Sequence, residues 1–195
     1  MALMTPELVQ KANALSPEIK KFLMHVALRH ERRSDTLTLV QVMQEIMAEH
    51  NMIDWRKTGT TRVICLDPHD YITMIEHYPT LDESFDEFEI VLGVDLVAEL
   101  IREGKIELTT PIERTVTYHD PCRLNKRLGK WQSPREILRA IPGLTFVDVD
   151  HVTQWSYCSG AGSNLATEKP ELTAEISRRR IEKAAALDGV DTLVS

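Results

Sequence analysis

The sequence predicts an α/β fold, with parallel sheets flanked by helices in two units and extra helices at the N-terminus. Three observations predict it. Short β-rich apolar runs recur at 61–66, 88–92, 115–118, 144–147 and 190–194. Helical stretches separate these runs, and alternation of that kind implies parallel strands joined by right-handed crossovers. Helix start signals stand where the alternation needs them.

Taken in order, residues 1–33 read as helix. Thr5 caps a start with Pro6 in the first turn, and Ser16-Pro17-Glu18 repeats the signal ahead of Ile19, Phe22, Leu23 and Val26. The charged stretch 29–33 reads as a solvated helix end and linker. An amphipathic helix follows with Val40, Met43, Ile46 and Met47 on one face, the methionines filling a core. Strand 61–66 carries Cys65, read as a buried structural thiol, and a helix runs on through Met74 and Ile75. Strand 88–92 precedes a helix over 96–102. Strand 115–118 and strand 144–147 bracket a helix with a capping box: Ser133 at the cap, Pro134 in the first turn, Glu136 three residues on. Arg135 then falls on helix surface, and Trp131 and Trp155 are packing groups. A last helix over 170–187 leads into the strand at 190–194. The organisation is a helical segment 1–33, a first α/β unit 34–112 and a second 113–195.

Composition narrows the classes of function. The chain has 195 residues, 43% of them hydrophobic, enough for one sizeable core or two small ones. A formal net charge of -7 argues against nucleic-acid binding, which needs a basic face. No apolar run approaches the roughly 20 residues of a membrane span. The N-terminus lacks the basic start and apolar stretch of a signal peptide, so a cytoplasmic protein is expected. Cys65, Cys122 and Cys158 are too few and too scattered for a disulfide scaffold and read as free thiols or metal ligands.

Two segments carry chemistry. In Thr117-Tyr118-His119-Asp120-Pro121-Cys122 a strand runs into a turn stiffened by proline, and a thiol stands at the strand tip. In Tyr157-Cys158-Ser159-Gly160-Ala161-Gly162-Ser163, glycines beside a cysteine let backbone amides approach an anionic, sulfur-rich group. The 35 residues at 123–157 separate Cys122 from Cys158, so a shared site would be built by the fold. In parallel sheets such sites gather beyond the carboxyl ends of strands, where 119–122 and 67–70 would both lie.

The stretch 116–195 resembles the CCG domain, named for its Cys-Cys-Gly motif, of the B-type and D-type subunits of heterodisulfide reductases and of the iron–sulfur subunits of glycolate and lactate oxidation systems. The resemblance rests on Tyr118 to Cys122, on Pro134 to Leu138, on the turn Ile141-Pro142-Gly143, on the loop Cys158 to Ser163, and on the closing helix and strand. It reaches back to about Val40, where an earlier copy of the domain would end in Cys65-Leu66-Asp67-Pro68-His69-Asp70-Tyr71 with Tyr78-Pro79 beyond. There Asp67 and Asp70 occupy two cysteine positions, and carboxylates are poor substitutes for thiolates on iron–sulfur clusters. In the second copy Ser159 stands at the second of the paired cysteines. The family's Cys-x-x-Cys would begin at or just after Ser195.

The resemblance implies an iron–sulfur electron-transfer subunit of a heterodisulfide reductase-like oxidoreductase complex. Its cofactor would be a [4Fe-4S] cluster of the non-cubane kind, with Cys122 and Cys158 as metal ligands. His119 and Asp120 would orient the loop and tune the cluster, and Gly160 and Gly162 would let the backbone approach it. No catalytic residue is assigned. No flavin site, nucleotide fingerprint or ferredoxin-type cysteine run is present, so such a chain would work with iron–sulfur or flavin subunits, one of which could be membrane-bound. Residues 1–33 are a candidate docking element. An alternative is a degenerate, cluster-free docking subunit of such a complex. A third reading, zinc held by Cys122, Cys158 and His119, ranks last because zinc needs four donors.

Overall fold

The computed structural model describes residues 39–149, 155–162 and 164–195, with side chains from Gln44 on. The helix expected over 1–33 lies outside these. The chain divides into two compact units, one formed by 39–61 with 76–88 among the described residues, the other by 62–75 with 89–195.

In the first unit, α1 (Leu39–Thr58) presents Ala48 and Met52, four apart and both buried, to its core. Met47, predicted on the packed face, is 60% exposed; Ala48 and Met52 are the buried residues instead, and Trp55 meets the neighbouring aromatics. Trp55 stacks on Tyr78 with centroids 6.1 Å apart and meets Phe88 edge-on at 5.2 Å; Tyr78 meets Phe85 edge-on at 5.5 Å. Tyr78 opens the short helix α3 (Tyr78–Leu81), and a 3₁₀ turn (Glu83–Glu87) follows. Asp82 caps that turn by accepting the Ser84 N–H, and Arg56 donates to Asp82, Ser84 and Glu87.

In the second unit all strand pairing is parallel. β1 (Arg62–Cys65) pairs with β2 (Glu89–Leu92). A second sheet has the order β4-β3-β5, from β3 (Arg114–Tyr118), β4 (Leu144–Phe146) and β5 (Thr192–Val194). The α/β reading with parallel sheets and flanking helices is the architecture observed. Helix α2 (Pro68–Glu76) follows β1, and α4 (Gly93–Arg102) follows β2. A Cβ at Gly93 would lie 2.9 Å from Leu66 Cδ2 and 3.2 Å from the Cys65 carbonyl, so glycine lets α4 start against the end of β1. Cys65 is buried, as expected, with its thiol 3.4 Å from the Met74 sulfur.

Helix α5 (Gln132–Ala140) joins β3 to β4; α6 (Leu165–Glu168) and α7 (Pro170–Ala185) precede β5. The capping box predicted for α5 does not form. Trp131 is the cap residue, without a side-chain cap, and Ser133 lies inside the first turn. Its hydroxyl donates instead to Asp95 of α4 at 2.5 Å, and Lys130 pairs with the same carboxylate at 2.8 Å. Tertiary partners have claimed the serine. Trp155, predicted to pack, is 72% exposed.

Candidate functional site

β3 is the central strand of its sheet, and its last residues Val116, Thr117 and Tyr118 are buried. The chain order reverses on this strand, with β4 on one side and β5 on the other, which is where α/β sheets open a crevice beyond their carboxyl ends. The His119 N–H donates to the Val194 carbonyl at 2.7 Å and carries the β5 ladder one residue past the strand. The backbone then turns through Asp120 and Pro121. Cys122 has helical angles, φ -59° and ψ -32°, and opens a π-helical turn (Arg123–Arg127), with Asn125 N–H donating to the Pro121 carbonyl. Cys122 is exposed.

The two residues between the strand and this turn are held by arginines. Asp120 is 2% exposed and meets the Arg135 guanidinium end-on: Nη1 donates to Oδ1 at 2.7 Å and Nη2 to Oδ2 at 2.8 Å. Arg135 also donates through Nε and Nη2 to Asp148, at 2.7 and 2.9 Å, and through Nη1 to the Trp131 carbonyl. All five of its N–H groups are used. Its guanidinium lies 5.7 Å from the Tyr118 and Trp131 ring centres. Predicted as helix surface, Arg135 is 1% exposed; the charge expected in solvent is the bolt of the strand-tip loop. Burial alone would lower its hold on the proton, but Asp120 and Asp148 outweigh that and raise it. Burial likewise pushes the Tyr118 phenol up to about 12, aided by the Asp120 charge.

His119 is held by a second arginine, one that no sequence motif marks. Arg180, on α7, donates from Nε to His119 Nδ1 at 2.9 Å and from Nη2 to the Tyr118 carbonyl at 3.2 Å. Burial, then the Arg180 charge, holds the imidazole below its usual range.

The second cysteine loop docks on the same helix. The exposed Cys158 thiol accepts the Gly160 N–H at 3.3 Å. The Ser159 carbonyl accepts the Ser177 hydroxyl at 2.5 Å, and the Ser159 hydroxyl faces the Ala161 N–H at 3.4 Å. Gly160 has φ +80°, and a Cβ there would lie 3.0 Å from the Thr173 carbonyl and 3.2 Å from Ile176. Its lack of a side chain serves the contact with α7. Gly162 has open space around it. Ser177 and Arg180 are three apart, on one face of α7. One helix therefore holds both cysteine loops, through Ser159 and through His119.

Among the described residues, no three His, Cys, Asp or Glu side chains are grouped closely enough to hold a metal ion. The exposed thiols are Cys122 and Cys158, and the third is sealed against Met74. Cluster irons each normally take a protein ligand, so two thiolates do not by themselves fit a four-iron cluster. The aspartates at the other cysteine positions do other work. Asp67 accepts the backbone N–H of His69 at 2.6 Å and of Asp70 at 3.4 Å, capping α2, and Asp70 stands in its first turn.

Residues 116–195 match the family model described as CCG, cysteine-rich domain. The D-type subunit of the dihydromethanophenazine:CoB–CoM heterodisulfide reductase of Methanosarcina mazei is 33% identical over 142 residues, which is 73% of this chain and 35% of that protein. The probable iron-sulfur-binding oxidoreductase FadF of Bacillus subtilis is 33% identical over 142 residues, 20% of its length. The EtfAB:quinone oxidoreductase of Syntrophomonas wolfei is 25% identical over 122 residues, 16% of its length. The chain thus spans about a third or less of these relatives. No solved structure matches. No helix among the described residues is long and apolar enough to cross a membrane.

Proposed function

Residues 116–195 belong to the CCG cysteine-rich domain family, and from that premise we propose that this chain is an electron-transfer subunit of a heterodisulfide reductase-like oxidoreductase complex. In it, Cys122 and Cys158 contribute to a [4Fe-4S] site whose other ligands come from outside the described residues. The observation that carries the reading is the shared tether: two exposed thiols, 35 residues apart in sequence, sit on loops pinned to one face of α7. A structural thiol gains nothing from exposure, whereas a ligand needs it. When bound, an iron–sulfur cluster supplies one-electron chemistry. This chain's own residues hold the loops: Arg135 fixes Asp120, Arg180 fixes His119, and Ser177 fixes Ser159. The partners are iron–sulfur or flavin subunits, and the compartment is the cytoplasm.

The test is anaerobic reconstitution of the full chain with ferrous iron and sulfide in excess small thiol, which stands in for the absent thiolates. Iron and acid-labile sulfide retained after desalting, with broad visible absorbance, is the expected result. Cys122→Ser and Cys158→Ser should each lose it and Cys65→Ser should keep it. Colourless, iron-free wild-type protein, or equal uptake by the Cys122→Ser/Cys158→Ser double variant, overturns the ligand role and leaves the cluster-free docking subunit.

A further inference from the structure

Arg180 is the least satisfied charge in the core of the second unit. It is 5% exposed, yet it forms no ion pair among the described residues; its partners are a neutral imidazole nitrogen and a backbone carbonyl. Asp120 lends its field, but both its oxygens are held by Arg135. A guanidinium has five N–H groups, and only Nε–H and one on Nη2 are engaged here. Burying a cation without a contacting anion is costly, and the contrast is internal: Arg135 is buried as deeply with two carboxylates and every donor spent.

The same bond fixes the state of His119. Arginine can only donate, so Nδ1 must carry its lone pair, and the ring proton of the neutral imidazole lies on Nε2. That Nε2–H has no partner among the described residues. Neither it nor the free Nη1 of Arg180 is among the fully buried, unpartnered polar atoms of the described residues.

We propose that the tip of β3 is an anion-binding site, in which the spare donors of Arg180 and the Nε2–H of His119, oriented by Arg180, receive one small anion beside Cys122. A cationic donor and a neutral N–H on adjacent side chains suit an oxyanion or a sulfur anion, which share this chemistry. The site does not rest on the cluster reading, since it is built without iron.

The test uses the full-length, iron-free chain labelled with nitrogen-15. Histidine ring spectra should show His119 as the Nε2–H tautomer. Titration with sodium sulfate and, separately, sodium hydrosulfide, at ionic strength held constant with chloride, should shift its Nε2 resonance to saturation with at least one of them. The anion that saturates identifies the class. Arg180→Lys keeps the charge but loses the fork that reaches His119 and Tyr118, and should weaken binding roughly ten- to a hundredfold, the scale of one charge-assisted hydrogen bond. His119→Gln, which keeps an amide donor and is followed through the Arg180 Nε–H resonance, should stay within several-fold of wild type. Arg180→Met should abolish binding, and if it does not fold the lysine variant carries the test. An Nδ1–H tautomer, responses to both salts that never saturate, or wild-type affinity in Arg180→Lys overturns the proposal. None of these outcomes touches the iron count that tests the ligand role.

Discussion

Replacing Arg135 by methionine removes a buried cation and leaves Asp120, 2% exposed, with its charge and no partner. Methionine nearly fills the aliphatic part of the site, so the cost comes from the orphaned carboxylate more than from a cavity. Breaking one side of a buried pair costs about 3–5 kcal/mol, against total stabilities of about 5–15 kcal/mol for a domain. Asp148 loses two hydrogen bonds as well, but it is 30% exposed at the side chain and water takes their place. The loss therefore belongs at the level of one buried charge, equivalent to a fall of about 6–20 °C in melting temperature for a chain of this size.

Urea unfolding followed by tryptophan fluorescence reads this directly, since Trp131 borders the guanidinium. The midpoint should fall with an unchanged slope. Asp120→Asn combined with Arg135→Met removes the orphan charge, so the double variant should be more stable than Arg135→Met alone, a coupling that only a contacting pair gives. A loss below about 1 kcal/mol in Arg135→Met, the range of surface substitutions, would refute the reasoning, as would strict additivity in the cycle.

Other expectations follow from the same geometry. Gly160→Ala forces an L side chain to φ +80° and against the Thr173 carbonyl and Ile176, and should cost about 1–3 kcal/mol by urea unfolding; Gly162→Ala meets nothing within 4 Å and should be near neutral. A thiol-reactive chromophore should label Cys122 and Cys158 rapidly and Cys65 only on unfolding, because Cys65 is buried and burial, with the nearby Asp70 charge, pushes its thiol up. The Tyr118 phenol, pushed up to about 12, stays protonated in the folded chain where an unfolded tyrosine ionises near 10. Its contribution to stability is complete below about 10 and is lost as pH rises toward 12, so alkaline melts should show a drop that Tyr118→Phe abolishes.

How much of this was legible in the sequence depends on the range of the interactions involved. Alternating apolar runs are local, and all five strands appear where those runs stand. The strand-tip motif is local too, so His119, Asp120 and Cys122 could be singled out by their neighbours alone. Ser133 shows where local reading fails: its capping-box pattern is intact, but a carboxylate 38 residues away binds the hydroxyl more favourably than the helix end does. Arg135 sits one turn into an amphipathic helix, where an arginine is normally solvent-facing. Its burial follows from two aspartates, 15 residues before it and 13 after, converging on one point.

Arg180 has no local motif to mark it, 61 residues from His119 in the run Arg178-Arg179-Arg180. Arg178 and Arg179 pair with Glu175 on the outside of α7, as such a run predicts. Only the rotation of the helix against β3 turns the third arginine inward. A signal was present in one respect, since Ser177 and Arg180 share the face that meets both cysteine loops. Isolated functional residues can be read from motifs, but the groups that position them lie on elements packed behind: Arg135 of α5 on Asp120, and Ser177 and Arg180 of α7 on both cysteine loops. Any change that rotates α7 should therefore disturb the Cys122 and Cys158 loops together, whereas changes on its outer Glu175 face should disturb neither.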